Sequence, residues 1–143
     1  NKVMLFEETV VFIHGATYAP NDASHASQVD NRNYREPGSY IKLVQGSQTP
    51  HAAALDEAAA SLAGEMTELL IEVRAASADC AFAVLALDTL LTKSGDLKLL
   101  RIHTFPNFIT TAQIDADVHV PLFEDILRVM SGIPSRKLAT ITH

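Results

Sequence analysis

The sequence predicts an α+β fold in which helices pack on an antiparallel sheet. Short β-rich runs open the chain, and two longer apolar runs flank a Gly-containing turn near residue 95. Stretches with helical spacing lie between and after them. At 143 residues the chain is long enough for one domain with its own core. Its 48% hydrophobic and 20% charged residues are the balance of a globular protein, not of a disordered one.

Taken in order, "KVMLFEETVVFIHG" reads as a β-hairpin, with residues 3–6 and 10–14 as strands about Glu7-Glu8-Thr9. Residues 16–39 are mostly polar or small and form a long loop, a length that is usually functional or mobile. "SYIKLVQG" is a short strand leaving it. In "TPHAAALDEAAASLAGEMTELLIEVRAASA", Thr49 is the expected N-cap and Pro50 the first helical residue. Leu55, Ala59, Leu62, Met66, Leu69, Leu70 and Val73 make one apolar stripe, and Gly64 weakens the interior or permits close packing. Glu57, Glu65, Glu68 and Glu72 form the solvated face, available to a basic partner.

Residues 80–91 and 97–103 read as two strands around Thr92-Lys93-Ser94-Gly95-Asp96. Val84, Leu85, Leu87, Leu90 and Leu91 are so continuously apolar that the pair is expected at the centre of the sheet. A last helix over 121–130 presents Leu122, Phe123, Ile126, Leu127 and Val129. Ser131-Gly132 ends it and Pro134 stops any continuation. Phe105, Phe108 and Phe123 are expected to pack this helix against the sheet. The closing "SRKLATITH" has no period and reads as frayed.

Composition removes several functional classes. A formal net charge of −6 without a local basic cluster argues against nucleic-acid binding. No apolar run reaches the length of a membrane span, and no signal-peptide pattern precedes the first strand. The chain opens on Asn1, which points to a processed or excised piece. A single cysteine, Cys80, excludes an internal disulfide, fits a reducing compartment and reads as a buried inert thiol. Gly-x-Ser-x-Gly, Walker-type and Cys-x-x-Cys patterns are lacking, which leaves hydrolase, P-loop and redox readings without support.

The most pointed segment is "ALDTLLTKSGDLKLLRIHTFPNF". It places Asp88 in one strand, then a Gly turn, then a strand ending Arg101-Ile102-His103, with Pro106 just beyond. In order and spacing it resembles the metal hairpin of ATP-grasp ligases, where an Asp and a Glu-x-Asn bind the magnesium ions that bridge nucleotide phosphates. Hard oxygen ligands are what magnesium requires. Within that superfamily the segment is most similar to the tubulin-tyrosine-ligase-like family, as is the following "TFPNFITTAQIDADVHVPLFEDILRVMSG". The opening strand pair resembles one that precedes a variable loop in those ligases. The resemblance implies a partial ATP-grasp domain over residues 1–132, matching the C-terminal half, with 133–143 as a tail. Its specific part is residues 88–108.

By position Asp88 matches the family Asp, while Arg101 stands at the Glu and His103 at the Asn. An Arg there turns −1 into +1 and repels a cation, and imidazole suits zinc or iron better than magnesium. His25-Ala26-Ser27-Gln28 is a blurred echo of the family's His, Thr and Asn loop motif, and the basic subdomain that covers the nucleotide has no counterpart. Asp88 is therefore at most a weak metal ligand. The structural expectation is an Asp88–Arg101 ion pair between adjacent strands. His103 with His14, His25 or His119 has no zinc-like spacing.

These departures imply a non-catalytic, degenerate tubulin-tyrosine-ligase-like module without cofactor, serving as a structural or binding subunit. Its expected partners are other protein subunits, with tubulin or microtubules implied by the resemblance, and its expected place is intracellular, cytoplasmic or cytoskeletal. The alternative is a C-terminal fragment of an active ligase, using ATP and magnesium to join an amino acid to a protein carboxylate. A lone half of a two-part fold should leave an apolar face that needs a partner.

Overall fold

A computed structural model describes residues 2–14, 16–24, 42–75, 82–108 and 110–141. The architecture is α+β, with strands β1 (Met4–Phe6), β2 (Val10–Ile13) and β3 (Lys42–Gln45) followed by helices α1 (Ala52–Glu65) and α2 (Thr67–Ala75). Strands β4 (Ala86–Leu91) and β5 (Leu97–His103) come next, then helices α3 (Ala112–Ile114) and α4 (Val120–Met130), and last β6 (Leu138–Thr140). Among the described residues the strands form three antiparallel pairs, β1–β6, β2–β3 and β4–β5, and not the single sheet expected.

The opening hairpin is the first correction. A tight hairpin turn needs backbone in the left-handed region, and among the described residues positive φ occurs only at Gly95 and Gly132. Glu7-Glu8-Thr9 is instead a crossover between two sheets. The Glu7 amide donates to the Lys137 carbonyl at 2.9 Å, and its carboxylate meets Lys137 Nζ at 3.0 Å. Glu8 Oε1 accepts from the amides of Thr9 at 3.0 Å and Ser47 at 3.1 Å. Gly46 donates to the Thr9 carbonyl at 2.8 Å, and a Cβ at position 46 would lie 2.0 Å from Thr9 Oγ1. Only glycine permits that approach.

The cap position falls at His51, with Pro50 still before the helix, so Thr49 is not the N-cap expected. The Thr49 backbone is extended and its hydroxyl accepts from the His51 amide at 3.3 Å, with regular helix from Ala52. The single long helix is broken at Met66, which closes α1 with φ −96° and ψ 0°. Gly64 lowers helix propensity just before the break. The buried Thr67 hydroxyl donates back to the Ala63 carbonyl at 2.9 Å, a bond that bends helices. Leu55, Ala63, Met66 and Leu70 form the inner face, packed beside β5 through α1, whereas Leu69 is exposed.

The β4–β5 hairpin forms with Gly95 at φ +94° in its turn, but β4 starts at Ala86 rather than 80. It is a two-stranded ribbon and not the centre of a sheet. Leu90, Leu99 and Leu100 stand exposed on it, so the burial their hydropathy anticipates is not supplied by the described residues.

Helical structure begins earlier than expected, at Ala112, where the Thr111 hydroxyl accepts from the Ile114 amide at 3.3 Å. A π-helical turn, Asp115–His119, joins α3 to α4, and the Val120 amide reaches back to the Asp115 carbonyl. Pro121 has no amide hydrogen to continue an α-type ladder there, which removes the competition against the wider turn. Ile114 and Val118 on this run are buried, and α3 packs against β3. Phe123, Leu127 and Val129, expected to face inward, are exposed, as is Phe105 at 93%. Of the expected aromatic contacts, Phe108 meets Phe123 edge-on at 4.9 Å between ring centroids.

Gly132 at φ +72° ends α4 as expected. Its amide donates to the Val129 carbonyl, and that of Ile133 to the Arg128 carbonyl at 2.8 Å, the bond pattern of a Schellman cap. The tail is not frayed over its described part, because Leu138–Thr140 pairs with β1 in the register Met4 to Thr140 and Phe6 to Leu138. No helix of the described residues is long and apolar enough to cross a membrane.

Candidate functional site

The ribbon brings the three residues of the metal-like motif onto one face. Asp88 and Arg101 are direct partners in the register, as the sequence implies, and His103 lies diagonally across from Asp88. The ion pair, however, forms with His103. Its Nε2 lies 2.7 Å from Asp88 Oδ2, and no such contact joins Asp88 to Arg101 among the described residues. A bulge between Asp88 and Thr89 explains the choice, since an inserted residue bends the strand and sharpens its twist, re-aiming the side chain beside it. Asp88 is 57% exposed through its side chain and sits mid-strand. An exposed pair of this kind contributes under about 1 kcal/mol.

This donor set does not fit magnesium. The ion takes near-octahedral oxygen coordination. Asp88 supplies one carboxylate already bonded to an imidazole, with a guanidinium opposite it in the register. Among the described residues no three His, Cys, Asp or Glu side chains are grouped to hold a metal. A carboxylate-oriented imidazole is also half of a proton-transfer dyad, but no hydroxyl or thiol is hydrogen-bonded to it among the described residues.

The other histidines do not join His103. His119 Nδ1 meets Asp115 Oδ1 at 2.8 Å within the π turn, its ring against Phe108. His14 follows β2 with Nδ1 buried and unpartnered. His25-Ala26-Ser27-Gln28 and Cys80 lie outside the described residues. A shallow concavity of about 370 Å³ over Pro20, Asn21, Asp22 and Ala23 includes none of the motif residues.

Two features of α4 were not read from the sequence. Asp125, next to the exposed Glu124, is only 2% exposed. Its carboxylate accepts from three successive amides of the tail, Arg136 at 2.9 Å, Lys137 at 2.6 Å and Leu138 at 3.0 Å. Arg128 Nε stands 3.7 Å away and also donates to the Pro134 carbonyl at 3.2 Å. Burial pushes the carboxyl pKa up, but the three amides and the Arg128 guanidinium outweigh it and hold it below its ordinary 3.8. No local rule announces a carboxylate that answers amides more than ten residues away.

The second feature follows from the first. With Asp125 turned inward, Val120, Phe123, Leu127 and Met130 are left open to solvent, at exposures of 51%, 42%, 63% and 56%. Their three-four-three spacing is legible in the sequence as a heptad stripe. Comparison with protein-family models, with curated proteins and with solved structures returns no match to this chain.

Proposed function

We propose that the chain is a non-catalytic binding or structural module of a larger protein assembly, a degenerate relative of the tubulin-tyrosine-ligase-like ATP-grasp proteins. The observation that carries the reading is the exchange on the ribbon. The carboxylate at the position of the family's metal-binding Asp is taken by His103, and the residue opposite it is a cation. The apolar surface supports an assembly role. Six hydrophobic side chains among the described residues are fully buried, against fifteen large ones exposed. Apolar surface left exposed on this scale suits a chain that packs against others. Two-stranded sheets are marginal by themselves and gain from packing against further chain.

Titration calorimetry of the chain with Mg-ATP tests the non-catalytic part. The expected result is no binding in the micromolar range, unchanged in Asp88→Ala. Micromolar binding that Asp88→Ala abolishes would overturn it in favour of an ATP-dependent ligase fragment. Nucleotide affinity that appears only in the double variant Arg101→Glu, His103→Asn supports loss of a former metal site.

A further inference from the structure

We infer that the outward face of α4 docks an amphipathic helix of a partner protein whose flanks are basic. The inference rests on the binding-module reading for there being a partner, and on the geometry of α4 for what that partner is. A helix normally turns its apolar stripe to its own core. Here the inward position is taken by Asp125, locked to three tail amides, so Val120, Leu127 and Met130 stand open to solvent, and Phe123 between them is 42% exposed beside Phe108.

The spacing selects the occupant's shape. Steps of three, four and three residues are those of alternate a and d positions, which accept the knobs of a second helix. The stripe spans the eleven residues of α4, about 16 Å of helix axis. A strand, with its two-residue repeat, would match only every second or third contact.

Charge selects the occupant's flanks. Glu124 is exposed beside the stripe, in the position that follows d. Arg128 is the sole basic residue of α4, and it is held away by Asp125 and the Pro134 carbonyl. The flank therefore presents negative charge, within a chain of formal charge −6. Lys or Arg beside the partner's apolar seam completes this pattern. A second copy in antiparallel pairing would set acidic flank against acidic flank. An anionic membrane surface would meet the same repulsion, since interfacial helices carry Lys and Arg on that side.

The test uses two synthetic helical peptides with Ile and Leu at alternate a and d positions, one carrying Lys at every e and g and the other Glu. Neither pairs readily with itself, because its own flanks repel. The expected result is binding of the Lys peptide to the full chain, detected by fluorescence anisotropy, at least roughly tenfold tighter than the Glu peptide. Added salt should narrow the gap. Leu127→Ser should abolish binding while leaving the melting temperature nearly unchanged, because the side chain is 63% exposed. Glu124→Lys should shift preference toward the Glu peptide. Equal or absent binding of the two peptides overturns the proposal. So does a dimer in sedimentation equilibrium that Leu127→Ser dissolves, or binding to phosphatidylserine vesicles that Leu127→Ser removes. Mg-ATP binding through Asp88 would defeat the non-catalytic reading and leave the peptide result standing, so the two failures are distinguishable.

Discussion

Asp88 on the ribbon and Asp125 on α4 are both aspartates bonded across elements, yet they hold opposite positions in the molecule. Asp88 lies on an exposed strand with one imidazole for a partner, its side chain 57% open to water. Asp125 has a side chain only 3% open, with three amides and a guanidinium around it. The residue whose motif is recognisable contributes little to the fold, and the residue without a motif fastens the helix to the chain's last strand. A carboxylate's role is set by how many donors it answers and by how much water it has lost. Sequence neighbourhood reports neither.

Breaking the contrast at its strong end gives the largest effect. Asp125→Ala leaves three tail amides without their acceptor, and a buried unsatisfied donor costs more than the bond it made. The melting temperature should fall further than for any other variant named here, and amide exchange at Arg136, Lys137 and Leu138 should accelerate selectively. Protection there equal to the native chain would sink the idea of a clasp. The same site gives a pH signature. Asp125 has a folded-state pKa below its ordinary 3.8. Its contribution is thus fully present above that value and is lost as pH falls through the lower, folded-state pKa. In Asp125→Asn this component of acid unfolding should vanish.

A smaller effect belongs to Arg128, which is 30% exposed and meets Asp125 at 3.7 Å. Arg128→Ala should cost about 1 kcal/mol in chemical denaturation, because water reaches the guanidinium and the three amides remain. The smallest belongs to the ribbon. A double-mutant cycle with Asp88→Ala and His103→Ala should give a coupling below about 1 kcal/mol. A larger coupling would erase the difference between the two aspartates.

Much of the local structure was legible because it rests on local chemistry. Gly95 in the ribbon turn and Gly132 after the last helix follow from backbone preferences of single residues. Strand partnership was not legible. The opening runs look like a hairpin because they are adjacent, yet β1 takes β6 and β2 takes β3. Those choices are made by side chains that act over long sequence distances, Glu8 on Ser47 and Asp125 on residues 136–138. At the motif, the facing of Asp88 and Arg101 was readable from register alone. The preference for His103 was not, since it depends on a bulge that alternation of hydropathy does not reveal. On α4 the expected face, Leu122, Phe123, Ile126, Leu127 and Val129, shares only Phe123 and Leu127 with the exposed stripe, because a helix this apolar fits more than one periodic face and the buried Asp125 decides between them.

The pairing of β1 with β6 has a mechanical consequence. Met4 lies opposite Thr140, and the Ile141 amide bonds the Val3 carbonyl at 3.1 Å, so the chain enters and leaves at the same end of this ribbon. Tension applied through residues 3 and 141 loads its hydrogen bonds one after another, like a zipper, and not all together in shear. The peeling front would run from Thr140 toward Leu138 and then meet the amides held by Asp125. Force would therefore arrive last at the clasp.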